Sequence, residues 1–158
     1  MLIGIACMLL MQAKGQQVQY HDFGDVEKLL SSDADTTYVI NLWATWCKPC
    51  VEELPYFSAV DSMMQGTAVR IILLSLDAQL RWESSLLPFL QAHPMQTEVW
   101  ALYPERPSDW IDRIAPQWSG AIPGTLFLHG RSGKRLFVES DMTVESILEK
   151  IQTAKTQN

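Results

Sequence analysis

The feature that most constrains this chain is a cysteine pair, Cys47 and Cys50, that stands between a strand and a helix. Before the pair, residues 38–43 form a nearly continuous β-rich run, which is typical of a strand buried on both faces. After it, apolar side chains three or four positions apart predict a helix over residues 51–64, kinked but not ended by Pro55. A second apolar run at residues 69–76 predicts another buried strand, so strand, helix and strand form a right-handed βαβ unit.

The remaining sequence predicts further strands and helices around this unit. The expected helices are at residues 21–31, 81–92 and 107–114 and from the N-cap Thr143 onward, and the expected strands are at residues 97–103, 125–128 and 135–139. The last two strands are joined by a short connection with two glycines, which predicts a hairpin. This order predicts an α/β fold, in which helices cover both sides of a mixed β-sheet.

Length and charge exclude several classes of protein. The 158 residues are 47% apolar, which is enough for one domain with a sizeable core. They carry 12 basic and 18 acidic side chains, giving a formal net charge of −6, and no basic stripe is present. Nucleic acid and anionic membrane surfaces are therefore poor partners for this chain.

Residues 1–11 form an apolar segment without a charged side chain. A membrane-spanning helix needs about 20 apolar residues, so this segment matches the hydrophobic region of a signal peptide better. Ala13 and Gly15 supply small residues for a cleavage site. We therefore predict a signal peptide at residues 1–15 and a folded domain at residues 16–158. No Lys or Arg precedes the segment, so two alternatives stay open: the segment belongs to a longer signal, or it is a buried strand.

Cys7 lies inside this apolar segment and has two interpretations. Residues 4–7 (Gly-Ile-Ala-Cys) loosely resemble a bacterial lipobox, in which the cysteine is lipidated and becomes the first mature residue. The apolar run before Cys7 is short for such a signal. We therefore favour the second interpretation, in which Cys7 is an ordinary apolar residue of a cleaved peptide.

The positions of the two cysteines divide the chemistry between them. Cys47 lies at the helix N-terminus, where unpaired N–H groups and the helix dipole favour an anion, so we predict a thiolate nucleophile with a lowered pKa. Cys50, one turn further on, is placed to attack the mixed disulfide and release the product. Pro49 lies in the first turn, where its missing N–H costs nothing. Trp46 shields the pair and offers partners an apolar surface. The positive charge of Lys48 favours a lower pKa of Cys47, but we expect a small effect because solvent screens an exposed lysine.

Two other uses of such a pair are disfavoured. A structural zinc site needs four ligands, and the remaining candidates have no ligand-like spacing; they are Cys7, His21, His93 and His129. A structural disulfide across two residues would close almost no loop and stabilise little. We expect no metal ion and no bound cofactor other than a redox-active Cys47–Cys50 disulfide.

These residues resemble the thioredoxin superfamily, and more closely its TlpA/ResA-like periplasmic thiol–disulfide reductases. The resemblance covers residues 18–151. The segments that carry it are residues 39–50, residues 53–55 (Glu-Leu-Pro) and residues 120–125 (Gly-Ala-Ile-Pro-Gly-Thr). It implies a thioredoxin-like three-layer fold with a helix–strand insertion before the second motif. It also implies that Pro123 follows a cis peptide bond beside the cysteines, and that the Ile122 backbone pairs with the substrate chain.

One position departs from the thioredoxin pattern. Thioredoxins carry a buried Asp on the strand before the cysteines, which helps to move protons, and the matching residue here is Asn41. Because an amide cannot act as a general base, deprotonation of Cys50 has to rely on water or on another carboxylate. Glu53 and Asp77 are the candidates for this proton transfer, although we expect each to be a surface or strand-end charge.

The inserted segment, residues 78–119, is longer than in a minimal thioredoxin and is rich in tryptophan. Its tryptophans are Trp82, Trp100, Trp110 and Trp118. We expect some of these side chains to lie in the core and one or two to line a partner-binding face.

The resemblance implies a thiol–disulfide oxidoreductase that reduces protein disulfides in the periplasm or cell envelope. The implied partners are disulfide-bearing client proteins, such as an apocytochrome c, and a membrane dithiol electron donor. We expect a monomer and no nucleic-acid partner. One alternative is the same fold acting as an oxidant or isomerase, because direction depends on the reduction potential. The other is a redox-inert thioredoxin-like binding module, which would require Cys47 to be buried and unreactive.

Overall fold

The computed structural model describes residues 18–103 and 110–156. The predicted signal peptide at residues 1–15, including Cys7, lies outside the described residues, as does the first part of the predicted helix at residues 107–114. None of the helices in these two ranges has the length and the apolar composition that a membrane-spanning helix requires.

Strands and helices alternate along most of the chain. In order, the elements are β1 (Val18–His21), α1 (Phe23–Leu30), β2 (Thr37–Trp43), α2 (Lys48–Met63), β3 (Val69–Ser75), a 3₁₀ turn (Gln79–Arg81), a π-helical turn (Trp82–Leu86), α3 (Leu87–Ala92), β4 (Glu98–Leu102), α4 (Ile111–Ile114), β5 (Gly124–His129), β6 (Lys134–Val138) and α5 (Val144–Lys155). The predicted βαβ unit, the later hairpin and the last helix are all present.

Among the described residues, the strands form one mixed sheet in the order β1-β4-β3-β2-β5-β6. The first four strands of that order are parallel to one another, while β5 is antiparallel to both β2 and β6. Strand β2 lies in the middle of the sheet, and every one of its residues is buried. The carboxyl ends of the parallel strands therefore meet at one edge, which is where the cysteine pair follows β2.

Successive side chains of β2 point to opposite faces of the sheet. Val39 and Trp43 pack with α2, α3 and α5 on one face, while Ile40 and Leu42 pack with α1 and α4 on the other. The helices therefore form layers on both sides of the sheet, and the three-layer architecture is confirmed. By the same alternation, Asn41 faces the α2 layer.

Two elements differ from the sequence prediction. Strand β1 was not predicted, because four residues with two exposed side chains carry little pattern; it pairs in parallel with β4 at the sheet edge. The helix expected at residues 21–31 therefore begins only at Phe23, after the N-cap Asp22. The helix expected at residues 81–92 is divided into three turns, and Pro88, which has no N–H to continue the helical ladder, lies where the π-helical turn passes into α3.

The cap of α5 generates a stability prediction. Thr143 accepts a hydrogen bond from the Ser146 N–H at 3.3 Å, and the Ser146 side chain accepts one from the Thr143 N–H at 2.9 Å. Thr143→Ala removes one of these bonds and should lower the free energy of unfolding by about 1 kcal/mol in urea titrations. Gln152→Ala, an exposed change within the same helix, serves as the control and should change it by less than about 0.5 kcal/mol. Equal effects of the two changes would contradict the capping role.

Candidate active site

Helix α2 begins directly after the turn that follows β2. Cys47 is its N-cap, with extended backbone angles, and its sulfur accepts a hydrogen bond from the Cys50 N–H at 3.4 Å. The Cys47 N–H donates to the Ala44 carbonyl at 3.0 Å, which closes the turn. Pro49 lies in the first helical turn, where no intrahelical N–H bond is lost. The sulfur of Cys47 therefore occupies the anion-stabilising end of a helix, as the sequence predicts.

Cys47 and Cys50 are joined by a disulfide, with their Cα atoms 5.3 Å apart. Cys50 has no exposed surface, whereas Cys47 keeps 6% of its own. The redox-inert alternative requires a residue that is both buried and unreactive, and the first of these conditions is met by Cys47. The structure makes it nearly buried, because it packs into the core cluster on the α2 side of the sheet, with Ile122 against that cluster. Of the two cysteines, only Cys47 retains any exposed surface.

The second motif lies beside the first. The peptide bond between Ile122 and Pro123 is cis, as the resemblance implies. The Ile122 carbonyl oxygen lies 3.7 Å from the Cys47 sulfur. Trp46 is 70% exposed next to them. Lys48 is exposed as well, and its ammonium group lies 3.7 Å from a carboxylate oxygen of Glu52, which reduces any field that it exerts on Cys47.

Glu53 is buried, so our expectation of a surface charge is wrong. It retains 1% of its exposed surface, and both carboxylate oxygens accept hydrogen bonds, one from the Asn41 amide at 2.7 Å and one from the Met142 N–H at 2.7 Å. Burial raises the pKa of Glu53 to about 7, against the lowering effect of these two bonds. The helical spacing of the sequence could have indicated this burial. Glu53 follows Cys50 by three positions and precedes Phe57 by four, which places it on the buried face of α2.

Asn41 joins Glu53 to the second motif. Its amide nitrogen donates to Glu53 and also to the Thr125 hydroxyl at 3.2 Å. Its amide oxygen is buried and has no hydrogen-bond partner. The structure thus brings Asn41, at the position of the thioredoxin Asp, into direct contact with the carboxylate candidate Glu53, which lies one helical turn from Cys50.

Asp77 is also buried, with 2% of its surface exposed, although it does follow the end of β3 as expected. Its carboxylate accepts hydrogen bonds from the Thr45 N–H at 2.9 Å, the Thr45 hydroxyl at 2.6 Å and the Ser75 hydroxyl at 2.9 Å. These contacts engage the segment before Cys47 rather than Cys50.

An apolar groove of about 370 Å³ lies beside the cysteine pair. Trp46 and Ile122, which flank the pair, also line this groove. Its other lining residues are Leu76, Asp77, Ala78, Leu102, Tyr103, Trp110, Ile111, Trp118 and Gly120. All four tryptophans of the inserted segment are buried, so each contributes to the core, and two of them form part of this groove.

Metal ligands are not grouped in the described part of the chain. Within it, no three His, Cys, Asp or Glu side chains lie together in a way that could hold a metal ion.

Comparison with known proteins supports the resemblance. No family model matches the chain. It is 27% identical to the thiol–disulfide oxidoreductase ResA of Geobacillus thermodenitrificans over 119 residues, which are 73% of this chain and 62% of that protein. The chain therefore spans about three fifths of the length of this relative. Shorter matches of 38 or 39 residues, at 41–42% identity, join it to ResA proteins of Oceanobacillus iheyensis and several Bacillus strains.

Solved structures share its fold. The thioredoxin-related protein of Neisseria meningitidis serogroup B superposes with a TM-score of 0.69 and 21% identity, covering 78% of this chain and 88% of that one. StoA of Bacillus subtilis superposes with a TM-score of 0.56 and 18% identity, covering 73% and 81%. The chain is similar in sequence to ResA and has a thioredoxin-like fold. The helix–strand insertion lies between β3 and the second motif, as expected.

The buried Glu53 generates a prediction for stability against pH. Its pKa is higher in the folded protein, about 7, than the ordinary value of 4.5 that it has in an unfolded chain. The folded state therefore holds the Glu53 proton more tightly than the unfolded state does. Its contribution to the free energy of unfolding is full below pH about 4.5 and is lost as the pH rises to about 7. The loss amounts to at most about 3 kcal/mol.

Glu53→Gln cannot titrate and should remove this part of the pH dependence. The slope of the free energy of unfolding against pH is measured by urea unfolding of the oxidised protein between pH 5 and pH 8. Glu52→Gln, the neighbouring exposed residue, is the matched control and should keep the wild-type slope. An unchanged slope in Glu53→Gln would show that Glu53 has an ordinary pKa.

Proposed function

We propose that this protein is a thiol–disulfide oxidoreductase that reduces protein disulfides in the bacterial cell envelope. The observation that carries the proposal is the Cys47–Cys50 disulfide at the start of α2, where only Cys47 reaches the surface and the Ile122 carbonyl lies beside it. The similarity to ResA, which is named a thiol–disulfide oxidoreductase, supports the same chemistry.

The reaction begins with both cysteines reduced. The Cys47 thiolate attacks one sulfur of a client disulfide, the client S–S bond breaks, and the other client sulfur leaves as a thiolate that takes up a proton. The mixed disulfide is then attacked by the Cys50 thiolate, which forms the Cys47–Cys50 bond and releases the second client thiol. Two electrons and two protons pass to the client, and a dithiol donor restores the protein by the reverse exchange.

The structure supports a thiolate at Cys47 through its backbone. The Cys50 N–H points at the Cys47 sulfur, and the sulfur caps a helix of sixteen residues, from Lys48 to Met63. Unpaired N–H groups and the dipole at this end stabilise a negative charge. Lys48 adds little, because it is exposed and paired with Glu52.

Cys50 is fully buried, so its proton needs an acceptor inside the protein. Glu53 fits this role, since it lies one helical turn away and its pKa of about 7 lets it take or release a proton near neutral pH. Asn41 suits both forms of Glu53. Its amide nitrogen donates to the carboxylate, and its unpartnered oxygen can accept from the acid after the amide rotates.

The client is a protein with an accessible disulfide, such as an apocytochrome c, and the electron donor is a membrane dithiol protein. The envelope location follows from the predicted signal peptide at residues 1–15. No nucleic acid, metal ion or further cofactor takes part, and the protein acts as a monomer.

The division of labour between the cysteines predicts distinct variants. Cys47→Ser should abolish reduction of insulin disulfides, because the nucleophile is lost. Cys50→Ser should accumulate a mixed disulfide between Cys47 and the client, because nothing resolves it. Non-reducing gels and intact-mass spectrometry distinguish the two products. Ser62→Ala, an exposed change near the far end of α2, is the control and should keep wild-type turnover. Normal turnover by Cys50→Ser would reverse the assignment.

The location predicts the mature N-terminus. Protein produced in its own host should begin at Gln16 and be recovered outside the cytoplasm, as measured by intact-mass spectrometry after cell fractionation. A lipidated Cys7 would instead indicate a tethered envelope protein. A full-length chain in the cytoplasmic fraction would contradict the envelope location but not the thiol chemistry.

A further inference from the structure

The segment between β2 and α2 is held by the Asp77 carboxylate. The β2–β3 ladder ends where Trp43 pairs with Ser75, and the chain then continues through Thr45 and Trp46 to Cys47. Asp77 bridges this gap, because Thr45 donates to it through both its N–H and its hydroxyl group. Two charge-assisted bonds to one residue fix the path of the backbone more firmly than either does alone.

Asp77 is itself held by Ser75 and Trp82, through both its side chain and its backbone. The Ser75 hydroxyl donates to its carboxylate, and the Ser75 oxygen accepts the Asp77 N–H at 3.1 Å. The Asp77 carbonyl accepts a hydrogen bond from the Trp82 indole N–H at 2.8 Å. The Trp82 ring packs against Tyr103, with ring centres 5.2 Å apart, and Tyr103 lines the groove. Asp77 is therefore bonded to residues that support two parts of the groove wall.

Trp46 depends on this support. Because 70% of its surface is exposed, it has little packing of its own to hold it in place. Its position beside Cys47 follows from the backbone of Thr45, which is the part that Asp77 holds. A shift of this segment would move one wall of the groove and leave the buried Cys50 in place.

The lining of the groove indicates what it receives. Most of its side chains are aromatic or aliphatic. The Asp77 carboxylate is already engaged by three donors, and the Trp118 indole N–H donates to the Ala121 carbonyl at 2.7 Å. The Trp110 indole N–H is buried and has no hydrogen-bond partner among the described residues. Of these three polar groups, the Trp110 N–H alone is left to donate, and it is buried, so a mainly apolar occupant fits the lining best. The groove is continuous with the cysteine pair through Trp46 and Ile122, so its occupant reaches it together with a client disulfide.

We propose that Asp77 is a positioning residue that latches the Thr45–Trp46 segment to the end of β3. The latch keeps the groove open for an apolar side chain that neighbours the client's cysteine. This inference rests on the proposed function, since the groove has a client only if Cys47 exchanges disulfides.

Three variants of the full chain test the latch. Asp77→Asn keeps the shape of the side chain but turns an N–H group toward a donor. Thr45→Val keeps the shape of Thr45 and removes its hydroxyl donor, while Thr45→Ser retains both donors. Asp33→Asn, an exposed change in the turn before β2 at the opposite edge of the sheet, is the matched charge control.

Each reduced protein is assayed with two peptides that carry a cysteine in mixed disulfide with glutathione, flanked by Phe in one peptide and by Ser in the other. The wild-type protein should reduce the Phe peptide with the higher kcat/KM. Asp77→Asn and Thr45→Val should lose that preference, with about a tenfold rise of KM for the Phe peptide and little change in kcat. Thr45→Ser and Asp33→Asn should keep the preference.

A second readout separates the latch from proton transfer. The rate of Cys47 alkylation by iodoacetamide is measured against pH for each reduced protein, and its midpoint should be the same in Asp77→Asn and Thr45→Val as in wild type. A midpoint that moves in Asp77→Asn alone would make Asp77 a proton carrier and overturn the latch. So would a Phe preference that survives in both variants, or that is absent from the wild-type protein.

If Asp77→Asn does not fold, Thr45→Val alone tests whether the bonds between Asp77 and Thr45 are needed for the Phe preference. A wild-type protein that reduces neither peptide contradicts the proposed function itself, which is a different result from reduction without a preference.

Discussion

The rest of the structure depends on the burial of β2 in the centre of the sheet. All its residues are buried, and it pairs in parallel with β3 on one side and antiparallel with β5 on the other. The parallel partner requires the chain to leave β2 through a helix, and Cys47 becomes the N-cap of that helix. The antiparallel partner begins where β2 ends, with Leu42 opposite Gly124, so the Ile122–Pro123 segment arrives beside Cys47.

The same strand places polar groups where a core would otherwise be apolar. Asn41 projects into the α2 layer and meets Glu53, and Thr125 lies opposite it on β5. Burying a carboxylate costs free energy unless hydrogen bonds compensate, and Glu53 receives two of them. The remaining cost appears as its raised pKa. Apolar residues at these positions would make the folded protein more stable. The polar groups of the site therefore lower stability in exchange for their chemical role.

Sequence reasoning recovered what depends on local pattern. The strand–cysteine–helix order, the βαβ unit, the hairpin and the Thr143 cap all follow from spacing and end signals that lie within a few residues. The position of Ile122 beside Cys47 came from resemblance alone, because seventy-five positions of chain separate the two residues. Strand β1 was missed because its stability comes from pairing with β4 and not from its own composition.

The buried carboxylates were missed for a different reason. A charged residue on a helix or after a strand is usually at the surface, so the sequence predicts surface positions for Glu53 and Asp77. Their burial depends on partners that are far away in sequence, such as Met142 for Glu53 and Thr45 for Asp77. Local pattern contains no information on such pairs, although the spacing of Glu53 from Cys50 did place it on the buried face of α2.

The reduction potential of the Cys47–Cys50 pair tests the central claim most directly. The protein is equilibrated with glutathione or dithiothreitol buffers of graded potential, quenched in acid, and its free thiols are alkylated and counted by intact mass. The account predicts one two-electron transition in the reducing range of thioredoxins, near about −270 mV, without stable glutathione adducts. A transition near about −120 mV would indicate an oxidant, and a pair that stays oxidised in every buffer would contradict a redox role.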